Sequence, residues 1–235
     1  MSKGLVKKII PFSMVDGPGN RMAIFFQGCN FDCLYCHNPE TITSCDSNAK
    51  AMGVTEILEE IIKVKPFISG ITVSGGECTL QNKFLVDLFE EVKKLELTVF
   101  VDTNGTIDFS KNKELSNLMD MAMLDIKSFN RNEHIKLTGR DNDMVLKNAE
   151  YLAGIDKLYE IRTVIVPGVL DNFHNVDEIS KLIGALDSEI RYKLIKYRPI
   201  GVRVEKIEAT QPSDEMMEQL KALALKNGCK DIIIV

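Results

Sequence analysis

Short apolar runs alternate with amphipathic segments along most of this chain. Six of the runs are mostly apolar and short enough for buried parallel strands, at residues 22–27, 70–74, 97–102, 122–126, 159–166 and 191–198. Between and after them the pattern predicts helices, at residues 55–64, 83–95, 113–119, 144–153, 176–186 and 213–226. A last apolar run, residues 231–235, predicts an additional edge strand.

The order of these elements predicts the fold class. Repeated strand-then-helix units indicate a parallel sheet with helices packed outside it. Six such units are too few for a closed eight-stranded barrel. The sequence therefore predicts an α/β fold built as a partial, open (β/α)6 barrel. The last helix has its own boundary signals, because it begins at the cap residue Ser213 and stops before Gly228.

Composition and charge exclude several function classes. The 235 residues suffice for one sizeable core, and one domain is the simplest count. The net charge of -5 comes from interspersed acidic and basic residues, which argues against nucleic-acid binding or a polybasic membrane anchor. No apolar run approaches the ~20 residues of a membrane helix, and no signal-type apolar stretch follows the first residues. We therefore expect a cytoplasmic protein with no membrane or nucleic-acid partner.

Three of the six cysteines are clustered. Cys29, Cys33 and Cys36 have the spacing C-x3-C-x2-C, which suits a metal site in a reducing compartment better than a disulfide framework. A cubane iron–sulfur cluster normally takes one cysteine per iron, so three cysteines leave one iron open to a small molecule. This is the arrangement expected of a radical S-adenosylmethionine (SAM) enzyme.

The alternative metal is zinc. A structural zinc site needs a fourth ligand, typically from a second C-x2-C pair. His37 is adjacent to Cys36 and therefore poorly placed to complete a tetrahedron, although Cys45 could contribute. A zinc-binding interaction module thus stays open as a non-enzymatic alternative.

Polar residues follow the predicted strands, where folds of this class place their chemistry. Gly75-Gly76-Glu77 follows the second strand, and its two small residues would let a ligand lie against the backbone while Glu77 accepts a hydrogen bond from an ammonium group. Asp102 and Asp125 end the next two strands. They can be read as helix-capping acids or as the ligands of a hard cation.

Three further side chains have two interpretations each. Lys127 and Arg198 are either solvated charges or donors to a ribose or carboxylate. Tyr35, between the second and third clustered cysteines, is either a surface aromatic or a ring that covers the cluster and cofactor. The residues alone leave these alternatives open.

Residues 15–21, 25–29 and 35–41 resemble the glycyl-radical-enzyme activating enzymes, a radical SAM group typified by pyruvate formate-lyase activating enzyme. The resemblance continues in order through residues 74–77, 102–105, 123–127, 137–142 and 162–168. The cysteine loop and its flanks are highly specific, and the later motifs are individually modest. The resemblance covers nearly the whole chain and implies a fold of the radical SAM type.

The resemblance implies a role for each matching position. Cys29, Cys33 and Cys36 would hold one [4Fe–4S] cluster whose open iron binds SAM. The SAM amino group would be bound by Glu77 with Gly75 and Gly76, and a monovalent cation beside the SAM carboxylate by Asp102, Thr103, Met123 and Asp125. The rest of SAM would be flanked by Tyr35, Lys127, Arg162, Val166 and Arg198. The backbone of a partner's glycine loop would be engaged by Asp16 and His37.

Two departures from the family pattern refine the expectation. The pyruvate formate-lyase activator has a histidine where this chain aligns Arg198, which puts the identity of the partner in doubt. Many other activators carry a cysteine-rich, ferredoxin-like insert before the Gly-Gly-Glu turn, whereas Cys45 is the one cysteine in that interval here. We therefore expect residues 1–235 to form a single radical SAM domain with one cluster.

The expected reaction is the anaerobic, reductive cleavage of SAM. The resulting 5′-deoxyadenosyl radical would take a hydrogen atom from a glycine of a partner glycyl radical enzyme, with a flavodoxin- or ferredoxin-type protein as electron donor. Within the same chemistry, an activator of anaerobic ribonucleotide reductase and a radical SAM enzyme with a small-molecule substrate are the alternatives.

Overall fold

A nine-stranded sheet runs through the computed structural model, which describes residues 2–44, 46–186 and 189–235. Its strands are β1 (Lys3–Ser13), β2 (Arg21–Phe26), β3 (Lys50–Gly53), β4 (Gly70–Gly75), β5 (Thr98–Thr103), β6 (Met121–Asp125), β7 (Leu158–Ile165), β8 (Arg191–Lys196) and β9 (Ile232–Ile234). Their order is β3-β1-β2-β4-β5-β6-β7-β8-β9. The order ends at two different strands, so the sheet is open, as the sequence predicted.

Helices connect most of the strands. They are α1 (Val54–Val64), α2 (Asn82–Lys94), α3 (Lys113–Leu118), α4 (Arg131–Thr138), α5 (Asp143–Gly154), α6 (Asn172–Leu186) and α7 (Asp214–Lys226). The cap predicted for the last helix is present, because the Ser213 side chain accepts a hydrogen bond from the backbone N–H of Met216 at 3.1 Å. None of the helices in the described ranges is both long and apolar enough to cross a membrane.

Strand pairing explains why the predicted strands are nearly continuous apolar runs. β2, β4 and β5 pair in parallel, and so do β7, β8 and β9. Parallel strands are covered on both faces, so their residues are buried on both. The final strand β9, predicted from the last apolar run, is confirmed as parallel to β8.

Three elements have no counterpart among the sequence predictions. β1 carries three lysines and pairs antiparallel with both β2 and the four-residue β3. α4 is mostly polar, and its boundaries are set by capping residues at its two ends. The Asn130 side chain accepts hydrogen bonds from two backbone N–H groups of the first turn, and Gly139 follows the helix with φ +81°. A search for periodic apolar residues therefore does not detect a lysine-bearing strand such as β1 or a mostly polar helix such as α4.

The chain folds as two compact units. The first comprises Met1–Asn30, Asn38–Thr103 and Ile107–Met123, and its buried core includes Ile57 and Ile61 of α1 and Leu88 of α2. The second comprises Phe31–His37, Asn104–Thr106 and Leu124–Val235. One of its cores joins the predicted cysteine loop to β7, through Tyr35, Leu137, Val164, Val166, Leu170, Tyr197 and Ile207.

Candidate functional site

The turn after β4 is joined to the end of β2 by backbone hydrogen bonds. Gly76 N–H donates to Phe26 O at 2.9 Å, and Glu77 N–H donates to Gly28 O at 2.8 Å. Cys29 itself is held by its N–H, which donates to Ile42 O at 3.1 Å. The first cysteine therefore leaves β2 from a backbone whose position is fixed by the Gly-Gly-Glu turn.

The two glycines of that turn are required by the protein's own packing. A Cβ atom on Gly75, whose φ is +125°, would lie 2.2 Å from Phe26 O. A Cβ atom on Gly76 would lie 2.4 Å from Gly28 O and 2.6 Å from Thr41 O. Real Cβ contacts are never this short, and the obstructing atoms are backbone atoms. The sequence predicted that these glycines leave room for a ligand. In the structure, the lack of a side chain at both positions also allows the turn to pack closely against the backbone of residues 26–28 and 41.

Glu77 is a buried carboxylate with a fixed orientation. It is 1% exposed, and its Oε1 accepts three hydrogen bonds. The donors are the Thr79 backbone N–H at 3.0 Å, the Thr79 hydroxyl at 2.5 Å and the Thr103 hydroxyl at 2.9 Å. Three donors to one carboxylate oxygen fix the orientation of the whole group.

The end of β5 supplies more oxygen atoms to the first unit. Asp102 Oδ2 accepts a hydrogen bond from the Ser74 hydroxyl at 2.8 Å, and its carbonyl accepts a contact from the Cys78 thiol at 3.4 Å. Thr103 turns its hydroxyl toward Glu77. Met123, the third predicted member of this group in the first unit, is fully buried. Burial raises the pKa of the Cys78 thiol well above its usual range, which keeps it protonated and inert.

Asp16 lies in a different part of the first unit. Its carbonyl accepts a hydrogen bond from the Thr72 hydroxyl at 2.5 Å, and its carboxylate accepts one from Ser13 at 2.5 Å. Thr72 also accepts from Nε of the buried Arg21, at 2.8 Å. Asp16 is thus fixed beside Thr72 in the middle of β4. Thr72 lies three residues before Gly75, so Asp16 does not lie at the end of that strand.

The cysteine loop enters the second unit at Phe31, and α4 holds its backbone there. Asp32 N–H donates to Thr138 O at 2.9 Å, and Leu34 N–H donates to Leu137 O at 2.9 Å. A turn follows, in which Cys36 N–H donates to Cys33 O at 3.2 Å. Cys33 is buried, and Cys36 is half-buried.

A second segment holds the same loop through residues distant in sequence. Residues 198–206, called the strap from here on, follow β8. His37 Nε2 donates to Arg198 O at 3.1 Å. Arg203 donates to Cys33 O at 3.0 Å and pairs with Asp32 at 2.5 Å, while Lys206 reaches the other Asp32 oxygen at 2.7 Å. Hydrogen bonds first from Lys206 and then from Arg203 lower the pKa of Asp32 below its usual range.

Tyr35 is a core residue of the second unit, and the surface alternative is wrong. Its side chain is 2% exposed, and the Lys127 ammonium lies 5.8 Å from its ring centre. Burial raises the pKa of Tyr35 far above its usual range. Lys127 pairs with Asp125 at 2.5 Å. Burial, the largest single cause, opposes the charge on Lys127, but the combined effects of Asp125, Tyr35 and Cys33 outweigh it, so the pKa of Lys127 lies above its usual range.

The remaining predicted site residues, Arg162, Val166 and Arg198, differ in burial and in their contacts. Arg162 is mostly buried within β7 and pairs with Glu160 at 2.5 Å; Lys193 pairs with the same Glu160 oxygen at 3.0 Å. Val166 is fully buried in the core that contains Tyr35. The Arg198 side chain is exposed, because β8 ends at Lys196 and leaves it on the strap; its carbonyl is what contacts the cysteine loop.

Comparison with known proteins decides the family. Residues 23–183, more than two thirds of the chain, match the family model of the radical SAM superfamily. The chain is 35% identical to a pyruvate formate-lyase-activating enzyme of Staphylococcus epidermidis, with 92% of each chain covered. The chain belongs to the radical SAM superfamily, among its glycyl-radical-enzyme activating enzymes. A protein of Haemophilus influenzae named as a glycyl-radical enzyme activating enzyme is 33% identical to this radical SAM protein, over 97% of this chain and 95% of that one.

Solved structures support the radical SAM fold. A domain of a pyruvate-formate lyase-activating enzyme from Bacteroides vulgatus matches with a TM-score of 0.61 and 22% identity, over 71% of this chain and 99% of that one. A radical SAM methyltransferase from Sphaerobacter thermophilus matches with a TM-score of 0.69 and 14% identity, over 92% of this chain and 66% of that one. Both confirm the partial, open barrel predicted from the sequence.

The cysteine loop of this radical SAM protein fits an iron–sulfur cluster by its donor chemistry. None of Cys29, Cys33 and Cys36 forms a disulfide, and two cations, Lys127 and Arg203, lie close to Cys33. In the described part of the chain, no group of three or more Cys, His, Asp or Glu residues could hold a single metal ion. A cluster takes one cysteine per iron, so its ligands need not converge on one point. Cys45, the candidate fourth zinc ligand, lies outside the described residues.

Sequence reasoning missed two residues that contact the cysteine loop. Arg203 was hidden because nothing near it in sequence indicates a partner 170 residues away. His134 of α4 is fully buried and packs its ring edge-on against Phe31, with 5.3 Å between ring centres. Its Nδ1 donates to Arg140 O at 2.7 Å, and burial lowers its pKa below 6.5. The signal that could have found it is a histidine in a helix directly after the Lys127 motif.

Proposed function

We propose that this protein activates a glycyl radical enzyme by reductive cleavage of SAM. The observation that carries the proposal is the three-thiol loop anchored to a Gly-Gly-Glu turn, in a chain that belongs to the radical SAM activating enzymes. When bound, a [4Fe–4S] cluster supplies one electron to the SAM sulfonium, and the 5′-deoxyadenosyl radical released from SAM takes hydrogen from a glycine of the partner.

Cys29, Cys33 and Cys36 would hold that cluster. This assignment is supported by the absence of a disulfide at all three cysteines and by the backbone hydrogen bonds that fix Cys29 in the first unit and the Cys33–Cys36 turn in the second. The chain would hold a single cluster and form a single radical SAM domain without an insert, because Cys45 is the one cysteine between the loop and Gly75.

Glu77 would accept the amino group of SAM beside the backbone of Gly75 and Gly76. Its burial and the three hydrogen bonds that its Oε1 accepts support this role, since a fixed, dehydrated carboxylate binds an ammonium group strongly.

The rest of SAM would lie along residues of the second unit. We assign Lys127 and the Tyr35 ring to this role, with Val166 as an apolar wall. Arg162 and Arg198 retain their proposed cofactor contacts, Arg162 from a guanidinium already oriented by Glu160 and Arg198 from an exposed side chain.

A monovalent cation beside the SAM carboxylate would use oxygen atoms of Asp102, Thr103, Met123 and Asp125. The donor set is chemically suitable, because hard cations prefer carboxylate, hydroxyl and carbonyl oxygens. A cation at Asp125 would share that carboxylate with the Lys127 ammonium, which lies 2.5 Å away.

The partner's glycine loop would be recognised by Asp16 and His37. Asp16 is held by Ser13 and Thr72, so its carboxylate is oriented before a partner binds. His37 is exposed, and its Nε2 is bound to Arg198 O, so a partner's backbone would be recognised through Nδ1. We also propose a flavodoxin- or ferredoxin-type electron donor, anaerobic operation and a cytoplasmic location.

The test is anaerobic reconstitution with iron and sulfide. Wild-type protein with dithionite and SAM is expected to release 5′-deoxyadenosine and to produce a glycyl radical signal in the partner, read by electron paramagnetic resonance. Cys33→Ala should lose the cluster spectrum and both products. Cys229→Ala is the matched control, because Cys229 is also a buried thiol of the second unit and lies far along the chain from the loop.

The alternatives predict different results from the same preparation. Zinc without iron or sulfide would support an interaction module. Release of 5′-deoxyadenosine with no glycyl radical in any candidate partner would support a small-molecule substrate, and a radical formed in anaerobic ribonucleotide reductase would identify that enzyme as the partner.

A further inference from the structure

The strap and α4 hold the two sides of the cysteine loop. α4 accepts the backbone N–H groups of Asp32 and Leu34, while the strap binds the Cys33 carbonyl and the Asp32 carboxylate. The strap lies close to the loop at another point, where a Cβ atom on Gly201 would be 2.7 Å from His37 O. All of these residues belong to the second unit.

Arg203 is the residue of the strap that combines position and charge. Its guanidinium bridges Cys33 O and Asp32 Oδ1, and its side chain is 22% exposed. Both contacts are made by the same nitrogen, Nη2, at 3.0 Å from Cys33 O and 2.5 Å from Asp32 Oδ1. Lys206 neutralises the other Asp32 oxygen at 2.7 Å, so the three side chains together carry one net positive charge beside Cys33.

The Nε atom of Arg203 adds an independent observation. It is buried and has no hydrogen-bond partner among the described residues. A buried donor without an acceptor is costly, and each such atom in a native fold needs an explanation. The sulfur atoms of a loaded cysteine loop are acceptors of the kind that would satisfy it.

We propose that Arg203 is a positioning residue that holds the Cys33 segment in place and sets the reduction potential of the cluster bound there. The potential depends on the charge and hydrogen bonds around the sulfur atoms. One electron from an external one-electron reductant makes the loaded loop more negative by one charge. The guanidinium keeps its proton throughout and compensates that charge, so it favours the reduced form.

This inference rests on the proposed function for the cluster, and its positioning half can be tested without a cluster. Hydrogen exchange of residues 31–37 in cluster-free protein reports whether the strap holds the loop. In Arg203→Met, the exchange of these amides is expected to be about tenfold faster, because a charge-assisted hydrogen bond and an ion pair are lost. Arg191→Met should leave it unchanged.

Arg191 is a matched control for Arg203. Both are partly buried arginines of the second unit that pair with an aspartate; Arg191 binds Asp231 at 2.8 Å with its side chain 31% exposed. Arg191 begins β8, whereas the strap follows the end of β8. Any general effect of removing an arginine would therefore appear in both variants.

Redox titration of the reconstituted protein tests the second half. At the potential that half-reduces the wild-type cluster, the ratio of reduced to oxidised cluster in Arg203→Met is expected to fall roughly tenfold. Arg203→Lys keeps the charge but loses the planar guanidinium and its Nε donor, so its loop should exchange faster while its potential stays close to that of the wild type. Asp32→Asn should also loosen the loop. Because this substitution removes an anion, the reduction potential of the cluster is not expected to fall.

Each result decides a stated part of the proposal. Wild-type exchange at residues 31–37 in Arg203→Met would overturn the positioning role, and equal potentials in Arg203→Met and Arg191→Met would overturn the electrostatic one. If Arg203→Met does not fold, Arg203→Lys and Asp32→Asn carry both tests. If the wild-type chain takes up no cluster, the proposed function fails, and the exchange of cluster-free protein still decides whether Arg203 holds the loop.

Discussion

Thr79 donates two hydrogen bonds to one oxygen of Glu77, from its backbone N–H at 3.0 Å and from its hydroxyl at 2.5 Å. This pair orients the carboxylate proposed to bind the SAM amino group. Thr79→Val keeps the backbone bond and the volume of the side chain but removes the hydroxyl. We expect SAM to bind about tenfold more weakly to this variant, because a net hydrogen bond to a charged group contributes about 1.5 kcal/mol.

Thr79→Ser is the matched control, since it retains the hydroxyl. Equilibrium binding of SAM to the reconstituted proteins, by calorimetry, makes the comparison. If Thr79→Val and Thr79→Ser bind SAM equally well, Thr79 does not position Glu77 for binding.

Gly76→Ala should disrupt the junction between the cysteine loop and the turn after β4. The new methyl group would lie 2.4 Å from Gly28 O, and backbone must shift to make room for it. We expect the free energy of unfolding to fall by about 2–4 kcal/mol, in the range of overpacked and strained sites. Urea denaturation measures it, and iron content after reconstitution should fall in parallel.

Gly154→Ala is the control for that substitution. Gly154 ends α5, and a Cβ atom there meets nothing within 4 Å. Alanine is the better helix former, so this variant should be as stable as the wild type or up to about 1 kcal/mol more stable. A loss of stability in Gly154→Ala equal to that in Gly76→Ala would contradict the packing argument.

His134 should make stability depend on pH. Its pKa in the folded protein lies below 6.5, first because of burial, so the unfolded chain binds this proton more readily. The neutral histidine therefore contributes its full stability above about pH 6.5, and that contribution falls as the pH drops from there toward the folded pKa, by at most about 1.4 kcal/mol per pH unit.

The variant His134→Gln should lose less stability than the wild type between pH 7 and pH 5, measured by urea denaturation at each pH. His174→Gln is the control, because His174 is an exposed histidine of the same unit. Identical pH dependence in wild type and His134→Gln would show that His134 titrates normally.

Glu160 should be essential to the second unit because it balances two buried cations. It is 1% exposed and pairs with Arg162 and Lys193 through the same oxygen. Glu160→Gln would leave both charges without their anion, and we expect a loss of about 3–5 kcal/mol. The half-buried Glu178, which pairs with the exposed Lys181 at 2.9 Å on α6, gives the control Glu178→Gln, with an expected loss below about 1 kcal/mol.

The sequence was sufficient where function and structure depend on local patterns. Buried strands appear as apolar runs, and the clustered cysteines and the Gly-Gly-Glu turn have characteristic spacings, so the fold class and the family could be predicted. β1 and α4 were missed because lysines and polar side chains obscure their periodicity. The close approach at Gly75 could not be predicted either, since the obstructing atom belongs to Phe26, 49 residues earlier in the chain.

Contacts between distant segments account for the rest. Nothing in the residues around Arg203 predicts that it binds Cys33 and Asp32, because the pairing arises only after β8 and the strap are in place. Arg162 is a case of the opposite kind, because its ion-pair partner Glu160 lies only two positions away on the same strand.

The contact between Arg203 and Cys33 also constrains biosynthesis. The two residues are 170 positions apart, and Arg203 is synthesised after Cys33. At about 5–20 residues per second, a ribosome needs roughly 10–30 s to travel from one to the other. The cysteines therefore leave the ribosome long before the strap exists, and their loop reaches its final geometry only in a nearly finished chain.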